Sequence, residues 1–228
     1  MNLQQERDLR DNLYEQFARV CKALGSAKRF ELIDLLANGE YSVDDLADET
    51  DMTIANTSQH LQLLKAARLV NIRRKGVEIF YRLASPMVFS LIRDVQELAG
   101  TSLAELDRIT DQIESKRTNM EIITVEVLEE RMAAGSVYLL DVRPQNEYDY
   151  AHIPGAVTIP LESLADKVNH LPRGRQMVVY CRSYFSMLSD RAIEILAQEN
   201  IKAIRLVSGL AEWRSSGRPV ETSLVNVI

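Results

Sequence analysis

The chain has 228 residues, 46% of them hydrophobic, and a formal net charge of −6; it is long enough for two ordinary domains with cores, and too acidic to hold nucleic acid without a local basic patch. No apolar run approaches the ~18 residues of a membrane span, and the polar start Met1-Asn2-Leu3-Gln4-Gln5-Glu6-Arg7 has no signal-peptide core, so a cytoplasmic protein without membrane contact is expected. Cys21 and Cys181 stand far apart, which excludes a disulfide framework or a zinc cluster and fits a reducing compartment.

Residues from about Leu9 to Leu24 read as one helix, and Ser26 caps a second that contains Phe30, Ile33, Leu35 and Leu36 and stops at Asn38-Gly39. Cys21 falls at helical spacing from Phe17 and Leu24, which predicts a small buried hydrophobe rather than a sensing thiol. Ser42-Val43-Asp44-Asp45 opens a third helix with a capping box, and Thr50-Asp51-Met52 turns into the stretch from Thr53 to Val70, expected as one further helix. Ile54, Thr57, Leu61 and Leu64 repeat at helical spacing and are expected to face a core. The opposite face carries Thr53, Asn56, Gln59 and His60, short hydrogen-bonding side chains suited to base edges and phosphates in a major groove. The rhythm then alternates: Asn71-Ile72-Arg73-Arg74, a Lys75-Gly76 turn, and Val77 to Arg82 predict a hairpin with a basic tip. From Thr53 to Arg82 the cations are Lys65, Arg68, Arg73, Arg74, Lys75 and Arg82, against the single acid Glu78. Helix, turn, helix and wing together predict a DNA-binding unit.

Ser58-Gln59-His60-Leu61, with Leu64, Ala67 and Leu69-Val70, resembles the recognition helix of the ArsR/SmtB family of dimeric winged-helix repressors, over roughly the first hundred residues. The resemblance implies double-stranded DNA as partner, an inverted-repeat operator, and contacts from Thr53, Asn56, Thr57, Ser58, Gln59, His60, Lys65, Arg73, Arg74 and Lys75. It also argues against metal sensing. Where many relatives place two cysteines, this chain has Ser42 and Asp44, and residues 86 to 117 offer Asp94 and Glu97 but no histidine. Ser85-Pro86 opens a segment with Val88, Leu91, Ile92, Val95 and Leu98, continued by Leu103, Leu106, Ile109 and Ile113; in the family this is where protomers pair. Lys116-Arg117-Thr118-Asn119 reads as a linker, dividing the chain into domains 1–118 and 119–228.

Beyond it, short apolar strands alternate with helices: Val137 to Leu140, Val157 to Ile159, Met177 to Tyr180 and Ile204 to Val207. Such runs predict buried parallel strands, with chemistry at their carboxyl ends. Cys181 follows Tyr180 at one such end, ahead of a helix expected to begin near Ser186. A loop that turns backbone N–H groups inward there would stabilise a thiolate or persulfide, so Cys181 is expected to be reactive.

Several landmarks make this half similar to a rhodanese: Leu140-Asp141-Val142-Arg143-Pro144, Glu147-Tyr148, His152-Ile153-Pro154-Gly155-Ala156, Tyr180-Cys181-Arg182-Ser183, Ser208-Gly209-Leu210-Ala211-Glu212-Trp213 and Gly217-Arg218-Pro219-Val220. The resemblance implies Cys181 as persulfide-carrying nucleophile, Arg182 as its basic neighbour, Asp141 and Arg143 as a pair bracing the loop Ser183-Tyr184-Phe185-Ser186-Met187, and His152 in a structural turn. The loop departs from the family pattern. Tyr184 stands where thiosulfate-transferring members usually have Gly, and Ser186 where they have a basic residue, or where fused regulators often have a second cysteine. A dianionic donor is thus disfavoured, and an intraloop disulfide is excluded.

The expected fold is an α+β winged helix-turn-helix unit, mainly α with a hairpin wing, followed by an α/β rhodanese-like domain with a parallel sheet. The expected function is a homodimeric transcriptional repressor whose Cys181 senses or carries sulfane sulfur or another thiol-reactive signal. No motif calls for a cofactor or a metal. Two alternatives stand beside it: a sulfurtransferase enzyme with an accessory winged helix, and a regulator whose second domain is an inactive docking module.

Overall fold

The computed structural model describes residues 2–223. It divides into two compact units, Met1–Ile92 and Arg93–Ile228; Met1 and residues 224–228, which the expected domain limits include, lie outside the described residues.

In the first unit, α1 (Leu3–Leu24) starts earlier than expected because Asn2 and Gln5 form a reciprocal capping box. It is followed by α2 (Ala27–Asn38), β1 (Tyr41–Ser42), α3 (Val43–Glu49), α4 (Ile54–Ala66), β2 (Val70–Lys75), β3 (Glu78–Leu83) and the start of α5 (Pro86–Ser102), within which the division between the units falls. Ser42 caps α3 with Asp45 as its capping-box partner. Strands β2 and β3 pair antiparallel, with Lys75 opposite Glu78, so the hairpin turns on Gly76-Val77, one position later than expected. Gly76 takes φ +62°, as a tight turn requires. Leu32, Ile33, Leu46, Leu61, Leu64 and Ile92 form a fully buried centre, each leucine contributing roughly 1.5–3 kcal/mol by burial.

Three expectations are corrected here. The stretch from Thr53 to Val70 is not one helix: α4 ends at Ala66, Arg68 enters the left-handed region at φ +60°, and Val70 opens β2. The Leu69 N–H donates to Leu64 O at 3.0 Å and the Arg68 N–H to Lys65 O at 2.9 Å, a Schellman-type stop. Ile54 is 57% exposed, because at the first turn of α4 the helical stripe runs past the core. Cys21 is exposed, because the apolar side of α1 that holds it is itself uncovered at Leu9, Leu13 and Phe17.

In the second unit, α6 (Ala104–Arg117), β4 (Ile122–Ile123), α7 (Val125–Ala133), β5 (Val137–Asp141), α8 (Gln145–Tyr150), β6 (Val157–Thr158), α9 (Leu161–Lys167), β7 (Gln176–Tyr180), α10 (Leu188–Gln198), β8 (Ala203–Leu206) and α11 (Leu210–Ser215) follow in turn. The sheet has the order β4-β8-β7-β5-β6 with every pairing parallel. Neighbours along a strand face opposite ways: Leu139 and Val178 join a core with Trp213, whereas Leu140 and Val179 join a second core with Leu196 and Cys181. Arg117, expected in a polar linker, is 2% exposed and paired with Asp190 of α10, so the end of α6 is structural. Among the described residues, no helix is long and apolar enough to cross a membrane.

Candidate functional site

On α4, the Thr53 hydroxyl accepts the Asn56 N–H at 3.3 Å as the helix cap. Thr57 is fully buried, its hydroxyl donating to Thr53 O at 3.1 Å, which removes it from the expected DNA-contacting set: it lies on the same stripe as Leu61 and Leu64. Asn56, Gln59 and Lys65 are exposed, while Ser58 and His60 are half-buried. The His60 Nδ1 lies 3.4 Å from Arg29 Nη1, and Arg29 also bonds the carbonyl oxygens of Lys22 and Ala23 at the end of α1. On the wing, the Arg73 Nε donates to Glu40 Oε2 at 2.7 Å beneath a stacking contact with Phe80, and Arg82 reaches the other Glu40 oxygen at 3.6 Å. Glu40 lies outside the basic stretch from Thr53 to Arg82, and it partly neutralises two cations of that stretch. Arg74 and Lys75 remain exposed toward the tip.

At the end of β7, Cys181 is 2% exposed. Its Sγ lies 3.7 Å from Ser183 O and 3.8 Å from Ser186 O, toward which the thiol can donate weakly. Two of the loop's amides are engaged within the unit: the Tyr184 N–H donates to Glu212 Oε1 at 3.2 Å and the Ser186 N–H to Ser183 O at 3.2 Å. The following helix starts at Leu188.

The brace beneath the loop is wider than the pair Asp141 and Arg143. Arg143 donates to both Asp141 oxygens, with Nη2 to Oδ2 at 2.6 Å, and to Ala151 O; burial opposes its charge, but Asp141 outweighs that and holds its pKa above the ordinary value. The Tyr180 hydroxyl donates to Asp141 Oδ2 at 2.5 Å, and burial, then the Asp141 charge, push its pKa well up. A further carboxylate links this pair to Arg182. That link is Glu147, fully buried, which accepts Arg182 Nε at 2.8 Å and faces Arg143 Nη1 at 3.8 Å. A buried carboxylate between two guanidiniums fixes Arg182 beside the nucleophile. From the other side Glu212 ties the Tyr184 and Gly209 amides together, and the Tyr184 carbonyl accepts Arg117 Nη2 at 3.1 Å and Arg205 Nη2 at 2.8 Å. Both arginines pair with Asp190, at 2.9 and 2.8 Å. His152 stacks on Tyr148 at 3.7 Å, and its Nδ1 lies 2.8 Å from the Tyr148 backbone oxygen.

Glu147, Glu212, Asp190, Arg117 and Arg205 join the candidate site without having been expected there. A signal existed for Arg205, a charge inside a run of buried strand residues, which requires a buried partner.

Fold and sites define a winged helix-turn-helix unit joined to an α/β unit built around a strand-end cysteine. Residues 26–71 match the family described as bacterial regulatory protein, arsR family, and residues 124–216 match the rhodanese-like domain. The HTH-type transcriptional regulator Rv0324 of Mycobacterium tuberculosis is 38% identical over 95% of this chain and 95% of its own length. A sulfurtransferase of Allochromatium vinosum is 30% identical over 43% of this chain and 92% of its own. A solved homodimeric winged helix-turn-helix DNA-binding domain from Mycobacterium bovis is 40% identical, covering 42% of this chain and 88% of that one, with a TM-score of 0.39. The chain belongs to the arsR family of DNA-binding transcriptional regulators, in a form that carries a rhodanese-like domain after its winged helix.

Proposed function

We propose that the protein is a homodimeric repressor, acting in the cytoplasm, in which sulfane sulfur or another thiol-reactive small molecule modifies Cys181 and changes operator affinity. The observation that carries this is a buried nucleophile, Cys181, in a loop held by Glu212, Arg117 and Arg205, within the chain of a DNA-binding regulator. In the sulfur step, the Cys181 thiolate attacks the outer sulfur of a persulfide donor RSSH. A new S–S bond forms, the donor's S–S bond breaks, and RS⁻ leaves to take up a proton; sulfur moves with no net oxidation. Such a modification shifts DNA binding only if the modified chain interacts differently with two dimer states.

Asn56 and Gln59, both exposed, would read bases, and exposed Lys65, Arg74 and Lys75 would meet phosphates; a two-fold dimer would then prefer an inverted repeat with half-sites about one helical turn apart. Dimerisation is supported by apolar side chains left exposed on α1 and on α5 and α6, among them Phe17, Leu98 and Ile109. The test is a mobility-shift titration with and without polysulfide on the intact protein and on Cys181→Ala. Polysulfide should change the affinity of the first alone. Equal affinity in all four conditions overturns the sensor. The likeness to a sulfurtransferase keeps one other reading in play, an enzyme, which steady turnover of a sulfur donor onto cyanide or a thiol would favour.

A further inference from the structure

We infer that Arg117 is a positioning residue for the sulfur site: from the end of α6 it holds the Tyr184 carbonyl, and so aims the Phe185 N–H at the sulfur that Cys181 carries. This rests on the sulfur-receiving role proposed above.

Arg117 belongs to α6, which ends ahead of β4, the first strand of the sheet in the chain. Its buried guanidinium donates through Nε and Nη2 to Asp190 Oδ2 at 3.0 and 2.9 Å, and through Nη2 to the Tyr184 carbonyl oxygen at 3.1 Å. Arg205 Nη2 donates to the same carbonyl at 2.8 Å, and its Nε to Asp190 Oδ1 at 2.8 Å. Burial opposes the charge on Arg117, but Asp190 outweighs that and holds its pKa above the ordinary value. Two buried cations on one buried carboxylate are costly for stability. Their surplus positive charge falls on one backbone oxygen, that of Tyr184.

A trans peptide points its N–H opposite to its C=O, and no peptide bond here is cis. With the Tyr184 carbonyl held toward two guanidiniums, the N–H of the same peptide unit, which belongs to Phe185, points away from them. It meets no hydrogen-bond acceptor among the described residues, whereas Glu212 takes the Tyr184 N–H and Ser183 O the Ser186 N–H. The Cys181 Sγ lies 3.7 Å from Ser183 O and 3.8 Å from Ser186 O, the residues on either side of Tyr184-Phe185, so the loop bends around the sulfur. A carbonyl that accepts two charge-assisted bonds polarises its peptide and makes the N–H a stronger donor. The outer sulfur of a persulfide anion carries the charge, about 2.05 Å beyond Sγ. The Phe185 N–H is the donor assigned to it.

The experiment uses the full-length protein labelled with 15N-phenylalanine, whose five residues give a signal each; Phe185→Leu identifies the loop's signal by its loss. Mass spectrometry follows sulfur on Cys181 in a buffer of glutathione and glutathione persulfide. In the wild type, the Phe185 amide proton should move downfield as Cys181 gains sulfur. In Arg117→Met, Asp190 retains Arg205, the downfield step should shrink, and the ratio of persulfide to thiol at Cys181 should fall roughly three- to tenfold, the scale of one weakened charge-assisted bond. Arg117→Lys keeps the charge without the planar fork and should give an intermediate ratio; it decides the matter by the same readouts if Arg117→Met does not fold. A merely structural role would lower the unfolding temperature and leave both the ratio and the Phe185 step at their wild-type values, which overturns the inference. Glu114→Gln alters the same turn of α6, 3.5 Å from Arg117 Nη1, but spares the Arg117 bond to Tyr184, so it should leave both readouts unchanged. A loss there equal to that of Arg117→Met assigns the effect to α6 as a whole and overturns the inference. Sulfur on Cys181 with an unmoved Phe185 signal also overturns it and leaves the sulfur-receiving role standing. If Cys181 takes no sulfur, that role falls and the inference with it.

Discussion

Gly209 shows how narrowly single atoms constrain the sulfur loop. A Cβ placed there would lie 2.2 Å from the Arg182 carbonyl carbon and 2.3 Å from Ser183 N, both backbone, so nothing flexible can give way. Gly209→Ala should therefore displace the loop and cost at least the upper part of the ~1–3 kcal/mol typical of overpacking, read as a lowered urea midpoint of the second unit. The Tyr180 hydroxyl adds a pH dependence. Because burial and the Asp141 charge raise its pKa above 10.0, the folded state holds that proton more tightly than the unfolded one. Its contribution is fully present below the unfolded value and is lost as pH rises through the folded one; Tyr180→Phe should remove that part of the alkaline loss in pH-dependent unfolding. The Asp141–Arg143 pair and the strand-end position of Cys181 are legible in sequence because their motifs are local. Glu147 shows no role in the sequence, since its tie to Arg182 spans 35 positions and exists only once the fold brings α8 to the residues that follow β7.

Among the elements, α4 and the wing separate reading from holding. Asn56→Ala or Gln59→Ala should cost about 1–3 kcal/mol of operator binding and relax base preference, whereas Lys75→Ala should weaken all sequences alike and lower the salt slope by about 1. Arg73 differs from Lys75 because Glu40 already takes much of its charge. Arg73→Ala should flatten the salt slope less than Lys75→Ala does, and a steeper loss would mean that Glu40 releases it on DNA. The helical period found the inner stripe of α4 but not its end. A helix stop is usually marked by Gly or Asn, and here Arg68 takes the left-handed position, held by bonds to Leu64 and Lys65 carbonyls through its own and the next amide. Arg68→Gly should relieve about 1 kcal/mol of backbone strain in thermal unfolding. Period alone also put Ile54 inside, because it records a residue's side of the helix and not whether a neighbour reaches that far.

For the whole molecule, the acidic chain and its basic wing leave open what brings two wings to one operator. Leu9, Leu13 and Phe17 recur on α1 at helical spacing of four, each more than half exposed, and Cys21 continues the stripe one turn on. An apolar stripe of that length is not stabilised by water, and a second copy of α1 packed along it would bury all four side chains together. Such pairing would account for Cys21, which lies on an apolar side of α1 that its own chain leaves uncovered. Leu13→Glu with Phe17→Glu puts two charges into such a contact while leaving the buried centre of the first unit, Leu32 to Ile92, untouched. The double variant should sediment as a monomer with an unchanged far-UV spectrum. Its affinity for an inverted repeat should fall by about 10²- to 10⁴-fold, the factor lost when two half-sites are no longer bound by linked modules, while affinity for a single half-site stays the same. Should the variant remain dimeric, the pairing surface lies instead on the exposed residues of α5 and α6, and the loss of operator binding would then follow mutation of Leu98 and Ile109.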